Sequence, residues 1–140
     1  MATTFLPYLF FSGDCHQAFA RYHEIFGGEL TVLRNGDLPE SDRMPGGAED
    51  FVMHAAIVLP GGGVLMGSDD PSGTGGPKVG VSVNVSLDDE AETKRVFDAL
   101  ADGGTVDMPL EPTFFAPLFG GLTDRFGVSW LVGADAGQPA

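Results

Sequence analysis

DDPSGTGGP, residues 69–77, is the stretch on which the reading of this chain turns. Aspartate, proline, serine and glycine crowd together there, a composition that suits neither helix nor strand and reads as a linker. The residues after it repeat the pattern of those before it. Before it, residues 4–11, TFLPYLFF, form an apolar run ending at Ser12-Gly13-Asp14, as a buried strand entering a helix does. From Asp14 a helical period sets in. Asp14 stands as N-cap with Gln17 at capping-box spacing, and Ala18, Phe19, Tyr22, Ile25 and Phe26 share one face until Gly27-Gly28 stop the helix. Residues 29–34 alternate as a half-exposed strand, and residues 51–59 and 63–68 read as a hairpin turned by Pro60-Gly61-Gly62. After the linker, residues 79–87 alternate as a strand, and Asp89 with Glu92 opens a second helix with Val96, Phe97, Leu100 and Ala101 on its apolar face. Gly103-Gly104 end that helix, residues 105–110 make a strand, and residues 114–133 supply a second hairpin. Both halves read β, α, β, β, β.

One helix covers only one face of a four-stranded sheet, so neither half is expected to be stable alone. The chain is therefore expected to be a single α+β domain over residues 1–140, with module one at about 4–70, a linker at about 71–78 and module two at about 79–133. With the helices outside, the inner sheet faces would curve round a shared cavity, a common place for a pocket. Residues 35–50, NGDLPESDRMPGGAED, form a polar loop longer than a compact domain usually keeps without a use, which makes it a candidate lid.

Composition narrows the partners. Hydrophobic residues make up 43% of the 140 residues and charged ones 19%, far from the disordered class. Seven Lys and Arg against twenty Asp and Glu give a formal charge of −13, which repels phosphate backbones and anionic lipid surfaces, so neither nucleic acid nor membrane is an expected partner. The single cysteine, Cys15, excludes an internal disulfide and a cysteine-rich zinc site. With no leader-like segment and no apolar stretch near the roughly 20 residues of a membrane span, the expected location is cytoplasmic.

PYLFFSGDCHQAFARYHEIFGGEL at 7–30, HAAIVLPGGGVLMGSDDP at 54–71 and DRFGVSW at 124–130 carry a resemblance to the vicinal oxygen chelate superfamily, and more closely to its PhnB-like branch. That superfamily contains glyoxalase I, bleomycin-resistance proteins and extradiol dioxygenases. The resemblance implies two βαβββ modules forming a cup, and paired chains. In metal-dependent members each half supplies one ligand from its first strand and one from its last. Matched at Asp14 and Asp89, those positions fall at Pro7, Met66, Ser82 and Leu131, a set without the imidazole or carboxylate a divalent ion needs. No metal and no other cofactor is expected.

Other residues bear on the chemistry. His54 lies in a β-rich run, FVMHAAIVL, with two alanines leaving space beside it. It reads either as a general base or carbonyl-orienting group, since imidazole exchanges protons near neutral pH, or as a buried histidine satisfied by its neighbours. His16 and His23 share a side of the first helix without a third ligand, which favours surface roles. Cys15, in the first turn, reads as an activated thiol or as a small packed hydrophobe. Asp69 and Asp70 read as an acid–base pair or as turn caps before Pro71. Ser82 and Asn84 alternate against Val81, Val83 and Val85, so they are either polar anchors for a ligand or cross-strand partners. Phe114, Phe115 and Phe119 read as an aromatic wall or as core, and Trp130 as core. Neither GGGVLMGSDD nor GTGGPK carries a nucleotide-binding signature, and no motif for a methyl-donor nucleotide is visible.

A ligand is expected to meet Pro7, Leu9, Met66 and His54 from the first module. From the second it would meet Ser82, Asn84, Phe114, Phe119 and Leu131. Three functions remain open: a metal-independent small-molecule binding protein of bleomycin-resistance type, a glyoxalase-like lyase or isomerase with His54 as acid or base, and a structural homodimer with a vestigial pocket.

Overall fold

A computed structural model describes residues 3–43, 49–70 and 79–134. The chain divides into two compact units, Met1–Gly76 and Pro77–Ala140. The first contains β1 (Tyr8–Phe11), α1 (Cys15–Phe26), β2 (Glu29–Arg34), β3 (Val52–Val58) and β4 (Val64–Asp69). The second contains β5 (Val83–Leu87), α2 (Glu90–Ala101), β6 (Thr105–Glu111), β7 (Leu118–Thr123) and β8 (Ser129–Ala134). Each half is thus the expected βαβββ module.

The sheets have orders β1-β4-β3-β2 and β5-β8-β7-β6. In each, the helix carries the chain from one edge strand to the other, and the hairpin after it fills the gap. β1 and β4 therefore run parallel, as do β5 and β8, while the remaining pairs are antiparallel.

Period-2 alternation sends one set of side chains under each helix. In the first unit Leu9, Phe11, Ala55, Ile57 and Leu65 are buried, as are Cys15, Ala18, Phe19, Tyr22 and Ile25 of α1. Phe19 meets Phe11 edge-on at 6.1 Å and Tyr22 at 5.7 Å. Gly67 makes this approach possible, since a Cβ there would lie 2.7 Å from the Phe19 ring. In the second unit Thr93, Val96, Phe97 and Leu100 of α2 are buried, as are Leu118, Leu122, Trp130 and Val132 of the sheet. There Gly120 admits Phe97, whose ring would be 2.9 Å from an added Cβ. Each of the larger apolar side chains among these contributes about 1.5–3 kcal/mol by leaving water.

The start of α1 departs from the sequence reading. Asp14 makes no side-chain bond to the helix; its carboxylate accepts from Ser12 N–H at 3.3 Å. The first turn is held instead by Asp69 at the end of β4. One oxygen accepts from the N–H groups of Gly13 (2.9 Å) and Cys15 (3.0 Å), and the other from Val52 N–H at 2.9 Å. Asp69 is 5% exposed, and its carboxylate is taken up by backbone N–H groups of residues 13, 15 and 52. The predicted turn at Pro71 and the linker at 71–78 lie outside the described residues. α2 agrees with the sequence reading: Asp89 accepts from Glu92 N–H at 3.2 Å.

Two predicted strands are shorter than expected. β1 begins at Tyr8, because Pro7 has no N–H for the ladder, and β5 begins at Val83, after Gly80 turns the chain with φ 81°. The 35–50 loop opens with short 3₁₀ turns at Asn35–Asp37 and Glu40–Asp42. Arg43 pins it by donating to the carbonyls of Leu38 (2.9 Å) and Gly36 (3.0 Å); residues 44–48 lie outside the described set. Among the described residues no helix is long and apolar enough to cross a membrane.

Asp69→Ala leaves three N–H groups without their acceptor and is expected to lower the unfolding free energy by about 3 kcal/mol. Asp14→Ala is expected to change it by no more than about 0.5 kcal/mol. Urea unfolding monitored by far-ultraviolet circular dichroism compares the two variants; equal losses would return the cap to Asp14.

Candidate functional site

The alternation that buries Leu9 and Phe11 turns Tyr8 and Phe10 to the sheet face away from α1. Register places Met66 beside Tyr8, Ala56 beside Met66, and Thr31 beside Ala56 on that face, with His54 one step further along β3. Tyr8 reaches across β4 to His54: its hydroxyl lies 3.2 Å from Nδ1, and the ring centroids are 5.7 Å apart. Phe10 packs against Tyr8 at 5.3 Å. Tyr8 is 38% and Phe10 50% exposed, while His54 and Met66 are half-buried. His54 is therefore neither fully buried nor held by an acidic neighbour. Among the described residues its Nε2 has no hydrogen-bond partner.

The other sequence candidates divide by face and by unit. Leu9 is 8% exposed and lies under α1, on the opposite side of the sheet from His54. Pro7 is exposed just before β1, where its carbonyl accepts from Met66 N–H at 3.2 Å. Tyr8, not Pro7, is the first-strand residue beside His54. Ser12, Gly13 and Asp14 separate β1 from α1, but only Asp88 and Asp89 separate β5 from α2, so matching the halves at their aspartates shifts the strands by one residue. The alternation within TFLPYLFF is the signal that picks out Tyr8 and Phe10, since an apolar run must turn alternate residues outward.

In the second unit Asn84 pairs with Leu131, which pairs with Gly121, on the face away from α2. Val83 and Val85 pair with the buried Trp130 and Val132 on the other face. The Ser82 hydroxyl is 2.7 Å from that of Ser129, a cross-strand pair at the mouth of β5 and β8. Phe119 pairs with Gly133, and a Cβ on that glycine would be 3.0 Å from its ring. Phe115 stacks edge-on between Phe119 (4.9 Å) and Phe114 (5.1 Å), and Phe114 is 99% exposed, so the ladder runs from the sheet outward. Trp130 is core, its indole N–H donating to Asp124 at 2.9 Å.

The remaining candidates have structural places. His16 and His23 are exposed, and His23 Nε2 lies 3.1 Å from the Gly28 carbonyl beyond the end of α1. Cys15 is fully buried against the core. Among the described residues no three His, Cys, Asp or Glu side chains are grouped to hold a metal ion.

Two βαβββ units, each with a four-stranded sheet backed by one helix, define the architecture of the vicinal oxygen chelate proteins. A glyoxylase/bleomycin resistance protein/dioxygenase domain from Frankia sp. EAN1pec has the same fold, with TM-score 0.65 at 16% identity over 99% of this chain and 96% of its own. The family profile described as 3-demethylubiquinone-9 3-methyltransferase matches residues 3–133, and the chain belongs to that PhnB-like family. The crystal structure of protein PA1353 from Pseudomonas aeruginosa is similar, with 44% identity and TM-score 0.86 over 96% of this chain and 98% of that one. A Bacillus cereus PhnB protein gives 29% identity and TM-score 0.73 over 95% and 100% of the two chains. Protein YjdN of Escherichia coli K12 is 33% identical over 142 residues, covering 95% of this chain and 96% of its own.

The resemblance puts the superfamily's metal-ligand positions at Pro7 and Met66 in one unit and at Ser82 and Leu131 in the other. Proline, thioether, hydroxyl and alkyl groups do not make the imidazole and carboxylate set a divalent ion needs, nor do Tyr8 and Asn84 beside Met66 and Leu131, so the residues present do not fit it.

The packing of Cys15 yields a direct test. Its thiol is expected to resist an aromatic disulfide reagent in the native protein and to react fully once the chain is unfolded in urea. Rapid stoichiometric labelling of the native protein would contradict its burial.

Proposed function

We propose that this chain binds a small, largely apolar ligand without a metal ion, in the bleomycin-resistance manner, on the sheet face that carries Tyr8, Phe10, His54 and Met66. One observation carries the reading: a histidine ring edge stands among neighbouring exposed aromatic rings and a thioether. Scattered apolar residues are ordinary on a surface, but contiguous ones with a polar anchor mark binding surfaces. Family membership does not itself choose the ligand, because one fold hosts many chemistries. Methyl transfer draws no support from the sequence, whose glycine-rich segments lack a nucleotide fingerprint.

A second reading is supported by Nε2 of His54, which no described residue occupies. It would give the lyase or isomerase a group to exchange a proton with a carbonyl substrate. Pairing of two copies belongs to the same proposal, supported by the edges of β1, β2, β5 and β6, which are unpaired within their own sheets. Cytoplasmic residence is likewise proposed, on the lone reduced cysteine.

Titration of isotope-labelled protein with acetylnaphthalene is expected to shift the resonances of Tyr8, Phe10, His54 and Met66 together. His54→Ala is expected to weaken that binding about tenfold, the loss of one hydrogen bond of ~1.4 kcal/mol. Shifts scattered over both units, or an unchanged affinity in the variant, would remove the site from this face.

A further inference from the structure

Resting on that reading of the face, we infer that Tyr8 is a positioning residue that holds His54 as a hydrogen-bond donor through Nε2. The site would then take flat aromatic compounds bearing a neutral acceptor oxygen, such as an aryl ketone, in preference to the same skeleton without one.

A phenol O–H is a better donor than an imidazole N–H, and an imidazole nitrogen a better acceptor than a phenol oxygen. The 3.2 Å contact is therefore Tyr8 O–H donating to Nδ1 of His54. A neutral imidazole carries one donor and one acceptor, so an accepting Nδ1 places the proton on Nε2. No described residue takes that proton, which leaves a directed N–H beside Phe10, Met66 and Ala56 on a face that also carries the hydroxyls of Thr31 and Ser68. The tyrosine hydroxyl is spent on the histidine, so the pair offers a ligand a donor. The rings of Tyr8 and Phe10, tilted 46° to one another at 5.3 Å, and the polarisable sulfur of Met66 suit an aromatic ligand. The formal charge of −13 works against anionic compounds, so the acceptor that fits is a carbonyl or ether oxygen rather than a carboxylate. Sites built to hydrogen-bond one group discriminate against the analogue lacking it, and at this half-exposed position the preference should be about tenfold.

Nitrogen-15 spectra of the histidines, recorded where imidazole is neutral, test the tautomer without any ligand. His54 is expected to carry its proton on Nε2 alone, and Tyr8→Phe is expected to bring it to a mixture like that of the exposed His16. Affinities for acetylnaphthalene and ethylnaphthalene test the consequence. The native protein should bind the ketone about tenfold more tightly than ethylnaphthalene, and Tyr8→Phe should bring that ratio towards one. A proton on Nδ1 of native His54, or a ratio unaltered in Tyr8→Phe, overturns the inference. Equal binding of both probes by the native protein overturns it while leaving the binding face in place. Binding of neither overturns the face and the inference together.

Discussion

Three backbone N–H groups from separate parts of the first unit converge on the carboxylate of Asp69: Gly13 and Cys15 at the entrance to α1, and Val52 at the start of β3. Buried N–H groups must find acceptors, and a carboxylate offers enough lone pairs to satisfy all three at once. The end of β4 is thereby tied to the helix start and to its neighbouring strand. That tie sets the rotation of α1 over the sheet and hence which side of β1 is buried. With Leu9 and Phe11 beneath the helix, Tyr8 and Phe10 have no choice but the other face.

The second unit solves the same problem with different residues. Asp89 caps α2 from its N-cap position, and the buried carboxylate is Asp124 in the β7–β8 turn, whose bonds stay within that hairpin. It accepts from the N–H groups of Phe126 and Val128 and from the indole of Trp130. Arg125 in that turn reaches Asp102 past the end of α2, tying turn to helix from the other end. The halves thus share an architecture but not its fastenings, and one residue more links strand to helix in the first half. Their faces away from the helices differ accordingly, Tyr8, His54 and Met66 in one and Asn84, Leu131 and Phe119 in the other.

Much of this is legible in the chain. The apolar faces of both helices, the cap at Asp89, the burial of Trp130 and the outward turn of Asn84 between Val83 and Val85 all come from residues within one helical turn or one strand. The misreadings arise from interactions that span the sequence. Asp14 has the right spacing for a cap, yet Asp69 occupies that role from the far end of the sheet. Tyr8 escapes notice because a tyrosine in an apolar run looks like core until the register shows which neighbour it has.

Local periodicity determined the two βαβββ halves, because helix and strand periods sort polar from apolar side chains within a few residues. It says which side of a strand a residue takes. It does not say which strands become neighbours. β1 lies beside β4, distant in sequence, rather than beside β2, and only that pairing brings the hydroxyl of Tyr8 to the imidazole of His54 and the carboxylate of Asp69 to Cys15. Strand order is decided by how the helix crosses the sheet and where the returning hairpin fits, a matter of packing in three dimensions that no stretch of the chain encodes alone.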